Sequence, residues 1–317
     1  MKSIGGYFGL DSRNERHFHD KALRLNSAHN AFELLLSNKK YRRIYMPAYC
    51  CRSLLHSLER TNTEFVVYHV DRNFVPKSSL PELQDDWAIL YVNYFGLKDT
   101  YIKELYKKYA GHLIIDNSQA FFSKPIAINV PTFYSPRKWF GVADGAYLYA
   151  TNFDISRLPI DLSFDRMQHL LIRIDESPEA AFELYRKNEE LLSKEPVRKM
   201  SRLTESILRN IDYAQASIKR RTNFFTLHDS LAHLNLYSIE MDDSTIPMAY
   251  PLLMDNESLR KKLIDNRIYC AKYWLETVAK LDEEEEFLRN NLLSLPIDQR
   301  YDTQDMKYIL KIIKSCI

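Results

Sequence analysis

The sequence predicts an α/β protein built on a largely parallel sheet, with a smaller α+β unit toward its C-terminal end. Three observations predict it. In the first half, short apolar runs rich in β-branched and aromatic residues alternate with helical stretches. From about residue 162 to 240 the pattern becomes helical and charged. From about 246 a strand, a helix, a second strand and a final helix follow.

The expected strands are RRIYM (42–46), EFVVYHV (64–70), WAILYV (87–92), HLIID (112–116), TFYS (132–135) and AYLYAT (146–151). Most read as near-continuous apolar runs, the pattern of strands covered on both faces. Helices are expected at 27–38, 53–61 and 101–109, where apolar residues recur at i, i+3 and i+4. In the first, Ala31, Leu34, Leu35 and Leu36 fall toward one side. Pro178 and Pro196 act as breakers in the charged half. Beyond it, MAYPLLM and LLSLPI read as strands, and ESLRKKLIDNRIYCAKYWLETVAKL and DMKYILKIIK as helices. The DEEEE run at 282–286 reads as a solvated loop or helix end. The expected division is a large domain over 1–160, a helical connector over 161–215 and a small domain over 216–317.

Composition excludes several classes. The 317 residues carry a formal net charge of +2, which offers no general field for nucleic acid or an anionic membrane. The one short basic cluster, KRR at 219–221, reads as a solvated helix face. No run approaches the roughly 18 apolar residues of a membrane span, and the N-terminal stretch lacks a signal-peptide core. Cys50, Cys51, Cys270 and Cys316 have no zinc-site spacing and form no disulfide framework, which fits a reducing cytoplasm. His17 and His19 make an HxH near the terminus, a spacing that is usually not a metal site. No HExxH, GxSxG, P-loop or GxGxxG motif occurs.

Open α/β sheets deliver functional groups at the carboxyl ends of their strands. Asp116 ends an apolar strand, where a carboxylate needs a cationic or hydrogen-bonding partner. It reads either as an N-cap for the next helix or as the partner of a pyridinium nitrogen. Gln119 lies three residues on, able to face the same ligand. Lys138 comes just after another strand, in a turn marked by Pro136, Gly141 and Gly145. Read alone it is a solvated loop lysine. Beside a cofactor it would be a Schiff-base amine. Ser135 could donate to a phosphate; Arg137 either adds charge there or faces solvent. Asn26 or Ser27 can cap the 27–38 helix, whose free N–H groups suit an anion.

The order of these segments resembles the DegT/DnrJ/EryC1/StrS group of pyridoxal-phosphate (PLP) sugar aminotransferases. LNSAHNAFELL resembles the group's phosphate segment, RRIYMPAYCCRSLLHSL its strand–proline–aromatic segment and VNYFGL its H-x-F/Y-G segment. IIDNSQA resembles EDxAQA, SPRKWFGVADGAYLY the lysine segment, and IPMAYPLLMDNESLRKKLIDNRIY a small-domain segment. The resemblance implies the aminotransferase-type, fold-type-I architecture: a three-layer large domain and a small C-terminal α+β domain. It implies that Lys138 carries PLP, that Asp116 meets the pyridine nitrogen and that Gln119 lies near the ring hydroxyl. Phosphate would be held by Ser135 and the helix start at Ser27, Ala28 and His29. The ring face would be covered by Tyr49, with Cys51 as the alternative. It implies amino transfer, with glutamate as donor, to a keto group on a nucleotide-linked sugar by a homodimer. Another PLP-dependent sugar modification, or a non-catalytic binding protein on the same fold, stays open. Ala28-His29 stands in place of the group's Gly-Thr, Asp144-Gly145-Ala146 in place of paired glycines, and Phe133 where a serine is usual.

Overall fold

In the computed structural model, which describes residues 4–11 and 15–316, nine strands and ten α-helices are assigned among the described residues. Residues 1–3 and 12–14 of the expected large domain and residue 317 of the expected small one lie outside them. In chain order the first part contains β1 (Leu23–Leu25), α1 (Ala28–Lys39), β2 (Arg43–Pro47), α2 (Leu54–Thr61), β3 (Glu64–Tyr68) and β4 (Trp87–Val92). Next come α3 (Asp99–Tyr109), β5 (Leu113–Asp116), β6 (Thr132–Tyr134) and β7 (Ala146–Tyr149). Four helices follow, α4 (Gln168–Asp175), α5 (Pro178–Lys194), α6 (Arg202–Arg209) and α7 (Tyr213–Leu231). The last part is β8 (Tyr250–Leu253), α8 (Glu257–Asp265), α9 (Glu283–Asn291), β9 (Leu292–Leu295) and α10 (Thr303–Lys314).

The first seven strands form one sheet in the order β1-β7-β6-β5-β4-β2-β3. β3, β2, β4, β5 and β6 run parallel, and β7 is antiparallel to both β6 and β1. β4, β5 and β6 are almost wholly buried, as continuous apolar strands under two helical layers must be. The fold class matches the expectation. The strand at 23–25 is an addition to it: LRL is too short to show a period. Its pairing of Leu25 with Ala146 brings the start of α1 beside the start of β7.

β8 and β9 form a separate antiparallel pair. Tyr250, Leu252, Leu293 and Leu295 pack there with Leu259 and Leu263 of α8 and Met306 and Ile309 of α10. α7 serves both cores: Ala216 joins the large one, and Phe224, Leu227 and Leu231 the small one.

Three local expectations are corrected. The helix expected over 257–281 stops at Asp265, where the Asn266 N–H closes onto Lys262, Leu263 and Ile264 and Arg267 takes φ 59°. Residues 266–281 then run as an irregular segment whose Trp274, Val278 and Leu281 join the core of the seven-stranded sheet. The DEEEE run is a helix end, opening α9 with an Asp282 capping box, as one of its two readings had it, but it is not uniformly solvated. Glu285 is fully buried, accepting from Val70 N–H at 3.0 Å and bonding His69 at 2.6 Å. The KRR cluster is not a solvated face either. Arg220 is 1% exposed, and Lys219 and Arg221 donate to the carbonyls of Gln299 and Thr245.

Candidate active site

The carboxyl edge of the parallel strands gathers the predicted residues. Asp116 closes β5, Ser135 comes directly after β6, and Tyr49 and Cys51 come after β2. Gly145, just before β7, donates its N–H to Asn26 O at 2.6 Å, which draws the α1 start to the same edge. Gly145 has φ +122°, and a Cβ there would meet Pro136 at 3.1 Å and Thr204 at 3.2 Å, so glycine is required. The Asp144 beside it, where the resembled group has a glycine, is fully buried. Its carboxylate accepts from the Ser201 N–H and hydroxyl and from the Thr204 hydroxyl, which ties this turn to the start of α6.

Asp116 is 7% exposed, and one carboxylate oxygen accepts from Ser118 N–H at 2.8 Å. Burial raises its pKa, and the nearby Lys138 ammonium pulls it back down. The two predicted residues are therefore electrostatic neighbours. Lys138 ends a 3-10 turn over Pro136–Lys138, with its side chain exposed at the rim. It is not buried by its own chain, contrary to what a desolvated amine requires. The following carbonyl, Trp139 O, is pinned by Gln299 Nε2 at 2.9 Å and Arg220 at 3.4 Å. Arg220 also lies 4.4 Å over the Trp139 ring. Burial lowers the Arg220 pKa to about 10. The buried arginine thus ties the lysine turn to α7 and to the segments around Met248 and Gln299, a link that no motif announced.

Gln119 is 1% exposed. Its Oε1 accepts from Phe95 N–H at 2.9 Å, while its Nε2 is buried with no partner. A buried orphan donor costs about 1–3 kcal/mol unless something accepts from it. An acceptor atom on a ligand ring satisfies that requirement, so the residues present fit a PLP-type group.

At the α1 start, Ser27 is the N-cap, its Oγ accepting from Asn30 N–H at 3.2 Å and lying 3.1 Å from His29 Nε2. Asn26 is not the cap; its side chain bonds Asn30, Pro196 O and Arg198 N–H. The cap leaves the N–H groups of Ala28 and His29 to be satisfied from beyond the helix. Burial, with Arg137 adding to it, lowers the His29 pKa to about 4, so its imidazole is neutral. Arg137 does not face solvent: it grips Glu189 of α5 with contacts of 2.7 and 2.5 Å.

The aromatic expectation needs correction. Tyr49 is 2% exposed and packed among Phe74, Tyr94 and Trp274, so its ring belongs to the core. Cys51 is half-buried, with Sγ 3.0 Å from Ser53 Oγ. Tyr273, expected within a helix, lies instead on the irregular segment, with Lys138 Nζ 6.0 Å from its ring centroid. His17 and His19 are spent on Tyr147, Tyr149 and the Phe121 carbonyl.

The architecture has counterparts among solved structures. The fold is that of the sugar aminotransferases. Spr1654 of Streptococcus pneumoniae, a putative sugar aminotransferase in its apo form, superposes with TM-score 0.66 at 14% identity, over 93% of this chain and 85% of that one. NtdA of Bacillus subtilis, solved with bound cofactor PMP, gives 0.65 at 15% identity over 92% and 73%. DesI, solved in the presence of its TDP-sugar product, gives 0.63 at 14% identity over 93% and 80%. No family model matches the chain, and no curated protein matches its sequence. On the aminotransferase fold, Asp116 and Lys138 sit at the carboxyl edge of the large-domain sheet. No described helix is long and apolar enough to cross a membrane.

Proposed function

We propose that the protein is a PLP-dependent aminotransferase that moves an amino group from an amino acid, glutamate in the first instance, to a keto group on a nucleotide-linked sugar. Surface-polysaccharide or related sugar biosynthesis is the corresponding setting. One observation carries the reading: Asp116 and Lys138 emerge at the carboxyl edge of adjacent parallel strands, and the buried Gln119 amide three residues after Asp116 has no partner. The neighbours' sugar chemistry supports the acceptor class.

PLP, when bound, supplies an electron sink for the charge that develops at the donor's α-carbon. Lys138 would hold the group covalently, and its Nζ, once free, would be the base and acid that moves the proton at the donor's α-carbon. Asp116 would hold a proton on the ring nitrogen, an interaction its buried site would strengthen. The unpartnered Gln119 Nε2 would donate to the ring hydroxyl. Ser135 and the Ala28 and His29 N–H groups would take the phosphate, aided by the helix dipole. Neutral His29, its ring bonded to Ser27 Oγ, would add no charge there. Leu171, Ile174, Phe182 and Leu191 of α4 and α5 are 44–81% exposed, which supports burial of that face in a homodimer.

The reaction class is tested by a half-reaction. The PLP-loaded protein incubated with glutamate should accumulate pyridoxamine phosphate, seen as loss of visible absorbance with a rise in the near ultraviolet. A loaded protein that forms none with glutamate or any other amino donor is not an aminotransferase.

A further inference from the structure

We infer that Tyr273, delivered by the small-domain segment 266–281, is the aromatic residue that covers the cofactor ring. The inference rests on the PLP reading above. The segment after β2 offers no free ring: Tyr49 is consumed by the core, and position 51 is a cysteine. A second piece of chain lies directly over that position, because Thr277 forms an antiparallel bridge with Cys51. Just before that bridge, two adjacent aromatic side chains take separate directions. Trp274 drives inward, 8% exposed, edge-on to Tyr49 at 4.9 Å and to Tyr94 at 5.3 Å. Tyr273 stays half-buried and reaches the lysine turn.

Its neighbours are those of the cofactor site. Lys138 Nζ lies 6.0 Å from its ring centroid, at the outer reach of a cation–π contact, so that contact alone does not hold the ring there. On another side Tyr273 meets Phe95 at 6.2 Å, and Phe95 N–H is the group that fixes Gln119. The backbone also bears a cost at this point. Trp274 has φ 55°, a conformation that a bulky aromatic residue rarely adopts, and its ring is locked in the core. Strain retained beside a candidate site is the pattern of a segment placed for function. Tyr273 is a ligand-facing aromatic, and the site takes its ring from the small domain.

The test measures PLP affinity, and the induced circular dichroism of the bound cofactor, in wild type, Tyr273→Phe, Tyr273→Leu and Tyr273→Ala. Far-ultraviolet dichroism and Tm check that each variant is folded. Tyr273→Phe should stay within about twofold of wild type. Tyr273→Leu and Tyr273→Ala should bind about five- to tenfold more weakly, with a reduced visible dichroic band, as the loss of one ring–ring contact predicts. Folded Leu and Ala variants with wild-type affinity and dichroism would overturn the assignment while leaving the cofactor reading intact. So would a Phe variant as weak as Ala, since the hydroxyl would then be what matters. A wild type that binds no PLP removes both.

Discussion

Asp116→Asn should lower the turnover number about 100- to 1000-fold while the protein remains folded and still takes up PLP. The magnitude is that of removing one preorganised electrostatic contact from a buried site. The substitution is selective because the carboxylate has two jobs. One oxygen accepts from Ser118 N–H, and an asparagine carbonyl can do the same, so the turn after β5 survives. The negative charge is lost, and with it the group that would keep a ring nitrogen protonated. Steady-state kinetics with the cofactor saturating, together with a PLP titration, separates the two effects. An Asn variant that turns over at the wild-type rate would remove Asp116 from the chemistry.

Acidification should destabilise the protein sharply as pH falls from about 6.5 toward 4. Burial lowers the pKa of His17 and of His19 to about 4. Both are held neutral in the fold: His17 bonds Tyr147 at 2.8 Å and His19 bonds the Phe121 carbonyl at 2.7 Å. The sign comes from proton counting. Between the two pKa values the unfolded chain binds protons that the folded chain refuses, so stability is present above the unfolded value and lost as pH drops. For the deeply buried His19, a displacement of that size corresponds to on the order of 3 kcal/mol, a large share of an ordinary domain's stability. His17, where burial is joined by the nearby Arg24 and Arg209 charges, adds to it. Urea titrations at pH 7 and pH 5 check it. His19→Phe should reduce the dependence, His17 and His29 keeping the rest, and an equal slope in wild type and variant would show that His19 is not a source of it.

Much of the fold was legible because its information is local. β4 and β5 are unbroken apolar runs, the second closing on an aspartate, and strands covered on both faces read that way. The relation of Asp116 to Lys138 was legible for the same reason. Each lies at or just beyond the end of a strand of one parallel sheet, so both must emerge at one edge. What stayed hidden depends on contacts distant in sequence. Arg220 sits in a run of three basic residues, and only the meeting of α7 with Trp139 and Gln299 makes it a core residue. Tyr273 lies in a stretch with a helical pattern, but the chain leaves the helix at Asn266 and carries that residue across to Lys138. Tyr49 misled in the opposite direction. An aromatic residue after a strand and a proline suits a ligand face, yet Phe74, Tyr94 and Trp274 claim its ring for the core.

These residues converge on Lys138, where the cofactor is expected to be covalently held. Borohydride treatment of the PLP-loaded protein, with peptide mass mapping of the product, tests that directly. A single phosphopyridoxyl-modified peptide bearing the label on Lys138, and no label in Lys138→Ala, is the predicted result. Label on another lysine, or none in a wild type saturated with PLP, would contradict it.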